Sequence, residues 1–600
     1  MKNKPEYIRF CIKIILSVWI LVSFAALVGM YQLWWQRERV LYGDKDVIEQ
    51  RAAVFERAGL PAGILKTIGT IDKIWPLDIH YQVSGKPEIL SYVTYLLIPR
   101  IPSGKGPLKL VAQDQVLQFD GEKNTAFSIR YFNENPTFRG LLFSFLLAIG
   151  VAAFLRKCFQ SGVMGWVELF SLAMLLLMIF TVLSKVLFGT VNIGFWSYSA
   201  IGLFGWIFIS FRFISFLFDA CPATFQPQSF IRLAKETLSA SRKLFQEDQF
   251  KAAFLGLLVL IIILNFTWSL LMSVVVVPDD WDAWAIWGAK AKVLALDQGP
   301  LQNVTYFDHP DYPLLWPSVW AFSGWCAGGW EEQWSRGWGP IFMLLCAWEI
   351  FVILRRSTSR IDLGLLGAAL FVSVPAIPLI SSWSYAEAPL WLMMTCSFGC
   401  LLKWRATGEW QNVLFGGIFA TAAAYTKNEG ILFALSGLLW LLVVAKNRRL
   451  ITVLIYCLSL TVLYLPWVLW VKGVLDLGSH ATAGLNFDLV SLQRALSRMP
   501  LALDLFLRVW SDIRQWNVVL WGIGFISIYL LLRGDKSIRT NFIFPVLMLF
   551  GFVVIIVFHN EEIAWQIGTS WNRLTAQTIP LFLIATILGG WNKKNNYKTT

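Results

Sequence analysis

Stretches of about 17–25 apolar residues, each roughly enough to cross a bilayer as a helix, recur along the whole chain. One of them is "FLGLLVLIIILNFTWSLLMSVVVV", residues 254–277. Inside lipid every backbone N–H and C=O must be satisfied within the protein, which leaves helices or closed barrels, and runs this long select helices. Composition agrees: 56% of residues are hydrophobic and 15% charged, with 31 Trp and 45 Phe, too apolar for a soluble chain of 600 residues. A formal net charge of +13 could point to nucleic acid. The Lys and Arg, however, sit in short clusters between apolar runs, which is a topology signal, so no nucleic-acid partner is expected.

The eight cysteines (Cys11, Cys158, Cys221, Cys326, Cys346, Cys396, Cys400, Cys457) lie in or beside apolar runs without metal-ligand spacing, and read as packing residues. The N-terminal run has no small-residue cleavage site and reads as a retained first span, Phe10–Leu33, in a segment 1–33.

With Lys2, Lys4, Arg9 and Lys13 inside, one alternation satisfies the positive-inside rule along the chain. Spans near 140–155, 164–188, 195–218 and 252–277 put Arg156, Lys157 and the basic 219–251 segment inside. The segment 312–330, "YPLLWPSVWAFSGWCAGGW", carries Pro313 and Pro317 and many Trp, and is expected at the interface or dipping back, not crossing. Later spans fall near 339–354, 362–380, 388–402, 412–426, 431–446, 450–472, 517–532, 541–558 and 575–590. The expected fold class is therefore an all-α polytopic membrane protein of about 14 transmembrane helices, in the cell inner membrane. Residues 34–139, with alternation in "LKLVAQDQVLQFDG" (108–121), are expected to form a small extracytoplasmic α/β ectodomain. Residues 140–251 add a further membrane module with a cytoplasmic basic loop, 252–590 form the core, and 591–600 a cytoplasmic tail.

This orientation gathers polar residues on the outer side: Asp279, Asp280 and Asp282 in "PDDWDAW"; His309 and Asp311 in "FDHPDYP"; Arg336 in "EEQWSR"; Tyr385 and Glu387 in "SWSYAEAP"; Lys427, Asn428 and Glu429 in "YTKNEG"; and His559 and Arg573 in "HNEEIAWQIGTSWNR". His80 and His480 also fall outside, and His480 and His559 read more as loop residues than as ligands. Three acids within four residues repel one another, an arrangement that suits a base or a metal ligand. Polar groups at helix mouths mark function in membrane proteins, and these lie on several different helices.

In this order the motifs resemble the GT-C superfamily of membrane glycosyltransferases, over about residues 252–590 and closest to its protein-mannosyltransferase and aminoarabinose-transferase-like branch. "DDWDAW" looks like the acidic motif of the family's first outer loop, followed by a helix with Lys290 and Lys292. "HPDYPLLWP" is similar to its "PPLYPLLLA", "SRGWGP" to the Arg-Leu-Pro start of the next span, and "SYAEAPLWLMM" to an acid before a Pro-Leu span. "YTKNEGILFALSGLLW" is similar to "TRPEGLLLLLALLL", and "SWNRLTAQTIPLFLI" to "RYLLPLLPLLLL". The chain departs in having one Pro at His309-Pro310-Asp311, a Lys at 427 for an Arg, no Tyr after Arg573, and an added module before the core.

The resemblance implies a polyprenyl-phosphate sugar donor drawn from membrane lipid, a lipid, glycan or protein acceptor on the extracytoplasmic face, and inverting transfer with an Asp base. Asp282 is preferred as base because "WDAWAIWGAKAK" looks like the "WDALAYWLPKAKAL" form of bacterial relatives; Asp280 has the aromatic at i+4 of the "DExxY" form. Lys427, Arg573, Arg336 and Lys290 are the expected donor-phosphate ligands, and His309, Asp311, Tyr385, Glu387, Glu429 and His559 the expected substrate contacts. No cofactor is required, although Asp280 and Asp282 leave a divalent metal open, since hard cations take oxygen ligands. The rival readings are a transporter or flippase of lipid-linked sugars, which would place its charges near the midplane, commonly in an internal repeat, and a non-catalytic assembly subunit.

Overall fold

The computed structural model describes residues 138–159, 164–219, 249–276, 280–297, 299–445, 449–475 and 488–596, four strands between 80 and 120, and isolated positions from 19 to 32. The strands are β1 (His80–Gly85), β2 (Ile101–Pro102), β3 (Leu108–Gln113) and β4 (Val116–Asp120), in one sheet ordered β2-β1-β3-β4. β1 runs parallel to β2 and β3, and β4 pairs antiparallel with β3, Leu110 opposite Phe119. The expected first span, the basic 219–251 loop and His480 fall largely outside the described residues.

The rest is helical. α1 (Arg139–Cys158), α2 (Trp166–Phe188), α3 (Asn192–Asp219) and α4 (Gln249–Val275) come first. A π-helical turn, Asp282–Gly288, then leads into α5 (Ala289–Leu296), and α6 (Leu315–Ala327) follows. α7 (Trp338–Thr358), α8 (Ile361–Ser373), α9 (Ala376–Ser382), α10 (Glu387–Thr407), α11 (Trp410–Thr426), α12 (Glu429–Val444) and α13 (Arg449–Val468) complete the middle. α14 (Leu489–Ser511), α15 (Val519–Arg533), α16 (Ile543–Phe558) and α17 (Asn572–Asn596) close the chain.

Among the described residues seven helices are long and apolar enough to cross a membrane, or eight if α8 and α9, bent by 65° at their junction, count as one. The bend sits at Pro375, which cannot donate to a continuing helix ladder. This is fewer than the expected count of about fourteen, and helix length is one reason. α12, α15 and α16 have 16, 15 and 16 residues, roughly 24 Å of rise, short of the ~30 Å hydrocarbon core. α6 has 13 residues, about 20 Å. It does not lie with one face open, because Leu315 through Gly324 are all buried. A Cβ on Gly140 of α1 would meet the Ser323 carbonyl oxygen at 2.3 Å, so α1 lies almost backbone to backbone on α6.

Helices α1 to α3 pack against one another and on helices that follow them in the chain. α1 crosses α3 where a Cβ on Gly205 would come within 1.7 Å of the Gly150 carbonyl, the close approach that small residues permit between membrane helices. α2 packs on α6 and α10. Asp297, in left-handed backbone at the end of α5 (φ 54°), ties that helix to the turn between α2 and α3. Its carboxylate accepts from Lys185 Nζ at 2.6 Å, the Val191 backbone N–H at 2.9 Å, Asn192 Nδ2 at 2.9 Å and the Thr190 hydroxyl.

Candidate active site

The carboxylates and cations of the candidate site come from the ends of helices that are far apart in sequence. Asp282 opens the π-helical turn, so its carboxylate lies in the first turn of that segment. Its Oδ2 accepts from Arg573 Nη1, 291 residues away in the first turn of α17. The Arg573 guanidinium lies 4.9 Å from the Tyr385 ring centroid, a cation held over an aromatic face. Burial pushes the Asp282 pKa up, but Arg573, with Lys427 and His309 further off, more than offsets it and holds the carboxyl below its ordinary value.

Next to this pair is a second one. Lys427 follows the last turn of α11 in extended backbone, and its Nζ lies 2.8 Å from Glu387 Oε1 and 2.9 Å from Glu429 Oε1. Glu387 opens α10 and Glu429 opens α12, so three helix ends meet at one ammonium. Burial pulls the Lys427 pKa down, and the two carboxylates push it further up, so it stays charged. Glu387 Oε2, Glu429 Oε2 and Arg573 Nε are buried without a partner in the described protein. Such atoms cost free energy unless something else pairs with them.

The loop 307–313 forms the adjoining wall. His309 has left-handed backbone (φ 50°), uncommon for a non-glycine residue and frequent where a site holds a side chain in place. Its ring stacks on Tyr312 at 4.6 Å, and Tyr312 stacks on Trp287 at 5.3 Å. Asp311 Oδ2 accepts from Asn428 Nδ2 at 2.6 Å, joining this loop to the Lys427 turn. Asp280 and Asp282 both lie within electrostatic range of Tyr385.

The structure therefore brings together Asp282, Arg573, Tyr385, Glu387, Lys427, Glu429, His309 and Asp311, with Asp280 alongside. Two expected phosphate ligands are committed to holding loops. Arg336 is 2% exposed and donates to Ser384 Oγ at 2.6 Å, the Ser382 carbonyl at 3.0 Å and the Val276 carbonyl. These bonds stitch the end of α4 to the turn before α10. Lys290 is fully buried and donates to the carbonyls of His309 at 2.6 Å and Tyr312 at 3.1 Å. Burial drags its pKa down to about 7, and the two bonds fasten the 307–313 loop. His559 belongs to another set of contacts: its carbonyl accepts from Arg498 of α14 at 2.7 Å and its Nδ1 from the Glu561 N–H at 3.3 Å.

No group of three or more His, Cys, Asp or Glu among the described residues could hold a metal ion. Asp282 is engaged by Arg573, so the pair Asp280 and Asp282 offers no ready cage. Sequence reading missed Tyr312, although it lay inside a quoted motif, because a Tyr among apolar residues reads as an interfacial aromatic.

The class that this geometry defines is a polytopic helical protein with a charged site assembled at helix ends. No protein-family model and no curated protein matches the chain. Among solved structures it is similar to that of ArnT from Cupriavidus metallidurans bound to undecaprenyl phosphate, at 15% identity and a TM-score of 0.39. The match covers 58% of this chain and 63% of that one, under two thirds of its length.

Proposed function

We propose that the chain is a membrane glycosyltransferase of the GT-C kind, moving a sugar from a polyprenyl-phosphate donor to an acceptor on the extracytoplasmic face. The observation that carries this reading is the side-by-side arrangement of Arg573 on Asp282 and Lys427 on Glu387 and Glu429, with unpartnered polar atoms left on each side. Two cations pre-placed in low dielectric suit a leaving phosphate, and carboxylates beside them suit a base.

In the proposed reaction the donor phosphate competes with Asp282 for Arg573. Once released, Asp282 loses the charge that depresses its pKa and becomes a stronger base. It takes the proton of the acceptor hydroxyl as that oxygen bonds to the anomeric carbon. The bond from that carbon to the phosphate oxygen breaks, its electron pair leaves with the polyprenyl phosphate, and Lys427 and Arg573 hold the charge. One displacement inverts the anomeric centre without a glycosyl-enzyme intermediate.

The bent pair α8 and α9 favours one second reading, a flippase of lipid-linked sugars, because broken helices are common in transporters. Reconstitution with a panel of polyprenyl-phosphate sugars separates the two. A transferase releases free polyprenyl phosphate in an Asp282-dependent manner, whereas a flippase moves intact donor between leaflets and cleaves none.

A further inference from the structure

Gln577 lies in α17, whose first turn carries Arg573. It is wholly buried, and neither its side-chain oxygen nor its nitrogen has a hydrogen-bond partner in the described protein. Burying an amide with both groups unmet is among the more costly arrangements a folded chain can hold, and a hydrocarbon surrounding supplies no water to relieve it. Four positions separate Gln577 from Arg573, so the two side chains share one face of the helix, about 6 Å apart along its axis. Arg573 Nε, on that same face, is buried and unpartnered too, and so is Glu387 Oε2 at the start of α10, which packs against α17. Pro580, one turn further along, brings no N–H for the carbonyl of Ala576. A donor of Arg573, a donor and an acceptor of Gln577 and an acceptor of Glu387 are thus left open around the beginning of one helix.

We infer that Gln577 is a specificity-determining residue that reads a hydroxyl of the donor's sugar, one helical turn deeper than the phosphate held by Arg573. This rests on the transferase reading above. The chemistry selects the ligand class: a primary amide with both ends open pairs best with groups that donate and accept at once, and sugar hydroxyls do both, whereas a phosphate oxygen only accepts. A site built this way discriminates strongly against a ligand lacking the matching hydroxyl, since the amide is then left unpaired.

The test uses the full-length protein in detergent with farnesyl phosphate and a set of farnesyl-phosphate hexoses, binding being followed by tryptophan fluorescence and by thermal shift. Wild-type protein is expected to bind at least one sugar-bearing probe more tightly than farnesyl phosphate. Gln577→Met keeps the side-chain length, and is expected to melt no lower than wild type without ligand and to bind farnesyl phosphate within about twofold of it. It should lose the sugar-dependent advantage by about tenfold or more. Arg573→Ala should lose binding of farnesyl phosphate itself. If Gln577→Met retains the full sugar advantage while Arg573→Ala loses phosphate binding, the transferase reading stands and the role of Gln577 is overturned. A Gln577→Met protein that melts well below wild type with its sugar advantage intact marks a structural amide bridged by water, and also overturns it. If wild-type protein binds none of the probes, the reading and the inference fall together.

Discussion

In the proposed reaction Asp282 carries two jobs that pull against each other. Ion-paired to Arg573 it stays ionised through neutral pH, as a base must, yet a depressed pKa makes a weak base. In that proposal displacement by the donor phosphate resolves the conflict, and it has a pH signature. Because the folded-state pKa of Asp282 is lowered, activity against free enzyme should hold as pH falls through the ordinary carboxylate range and fail only below it. Arg573→Gln should move that acid limb of kcat/KM upward; an unmoved limb assigns it to another group. Asp282→Asn should lower transfer by about a hundred- to ten-thousand-fold with the fold intact, and the same loss in Asp280→Asn alone would place the base there. Lys290 provides a stability counterpart. Its pKa falls to about 7 on folding from an ordinary value of 10.5, so between these values the unfolded chain binds a proton that the folded chain does not. Stability should therefore rise with pH across that window, by up to about 1.4 kcal/mol per unit. Thermal unfolding from pH 7 to 9 should show the rise in wild type and not in Lys290→Met.

Between elements, the interaction that most changes how the chain is understood is Asp297 with Lys185. The module of α1 to α3 had no evident purpose in the sequence; in the structure it grips the end of the segment that begins with Asp282. Lys185 is 1% exposed at its side chain, and removing its partner leaves a buried charge unpaired. Asp297→Ala should cost about 3–5 kcal/mol of stability by analogy with other buried pairs. Lys185→Met in the Asp297→Ala background should restore much of that loss, because the stranded charge is then gone. Thermal unfolding of the four proteins in a double-mutant cycle reads the coupling directly; additive effects would mean that the 2.6 Å contact contributes little.

For the molecule as a whole, the orientation inferred from Lys and Arg clusters makes one sharp statement. Ser357, exposed near the end of α7, should be cytoplasmic, on the side opposite the Asp282 site. A cysteine placed there in a cysteine-depleted background should react with a membrane-impermeant maleimide only after the inner face is opened. Labelling from outside would invert everything after that point, and the proposed site would then face the wrong aqueous phase for an extracytoplasmic acceptor.

What could be read from the sequence follows from local rules. Apolar runs give membrane helices, and α1 to α4 lie within a few residues of their expected bounds, because a long apolar run in lipid has few alternatives to a helix. Polar motifs at run ends gave the candidate residues, since charges in such places are costly and rarely idle. Local rules could not say which cation meets which anion. Arg573, Arg336 and Lys290 look alike in sequence, each a cation in a loop or at a helix start. Only the tertiary packing of helices distant in sequence puts Arg573 on Asp282, turns Arg336 toward the oxygens of Val276, Ser382 and Ser384 and buries Lys290 behind His309. Gln577 shows the same division: its place four residues after Arg573 was legible, but its lack of any partner is a property of everything packed around it. Sequence fixes which groups must find partners in a low dielectric. Contacts between residues hundreds of positions apart decide who those partners are, because hydrogen bonds and ion pairs act over a few ångströms of space and take no account of distance along the chain.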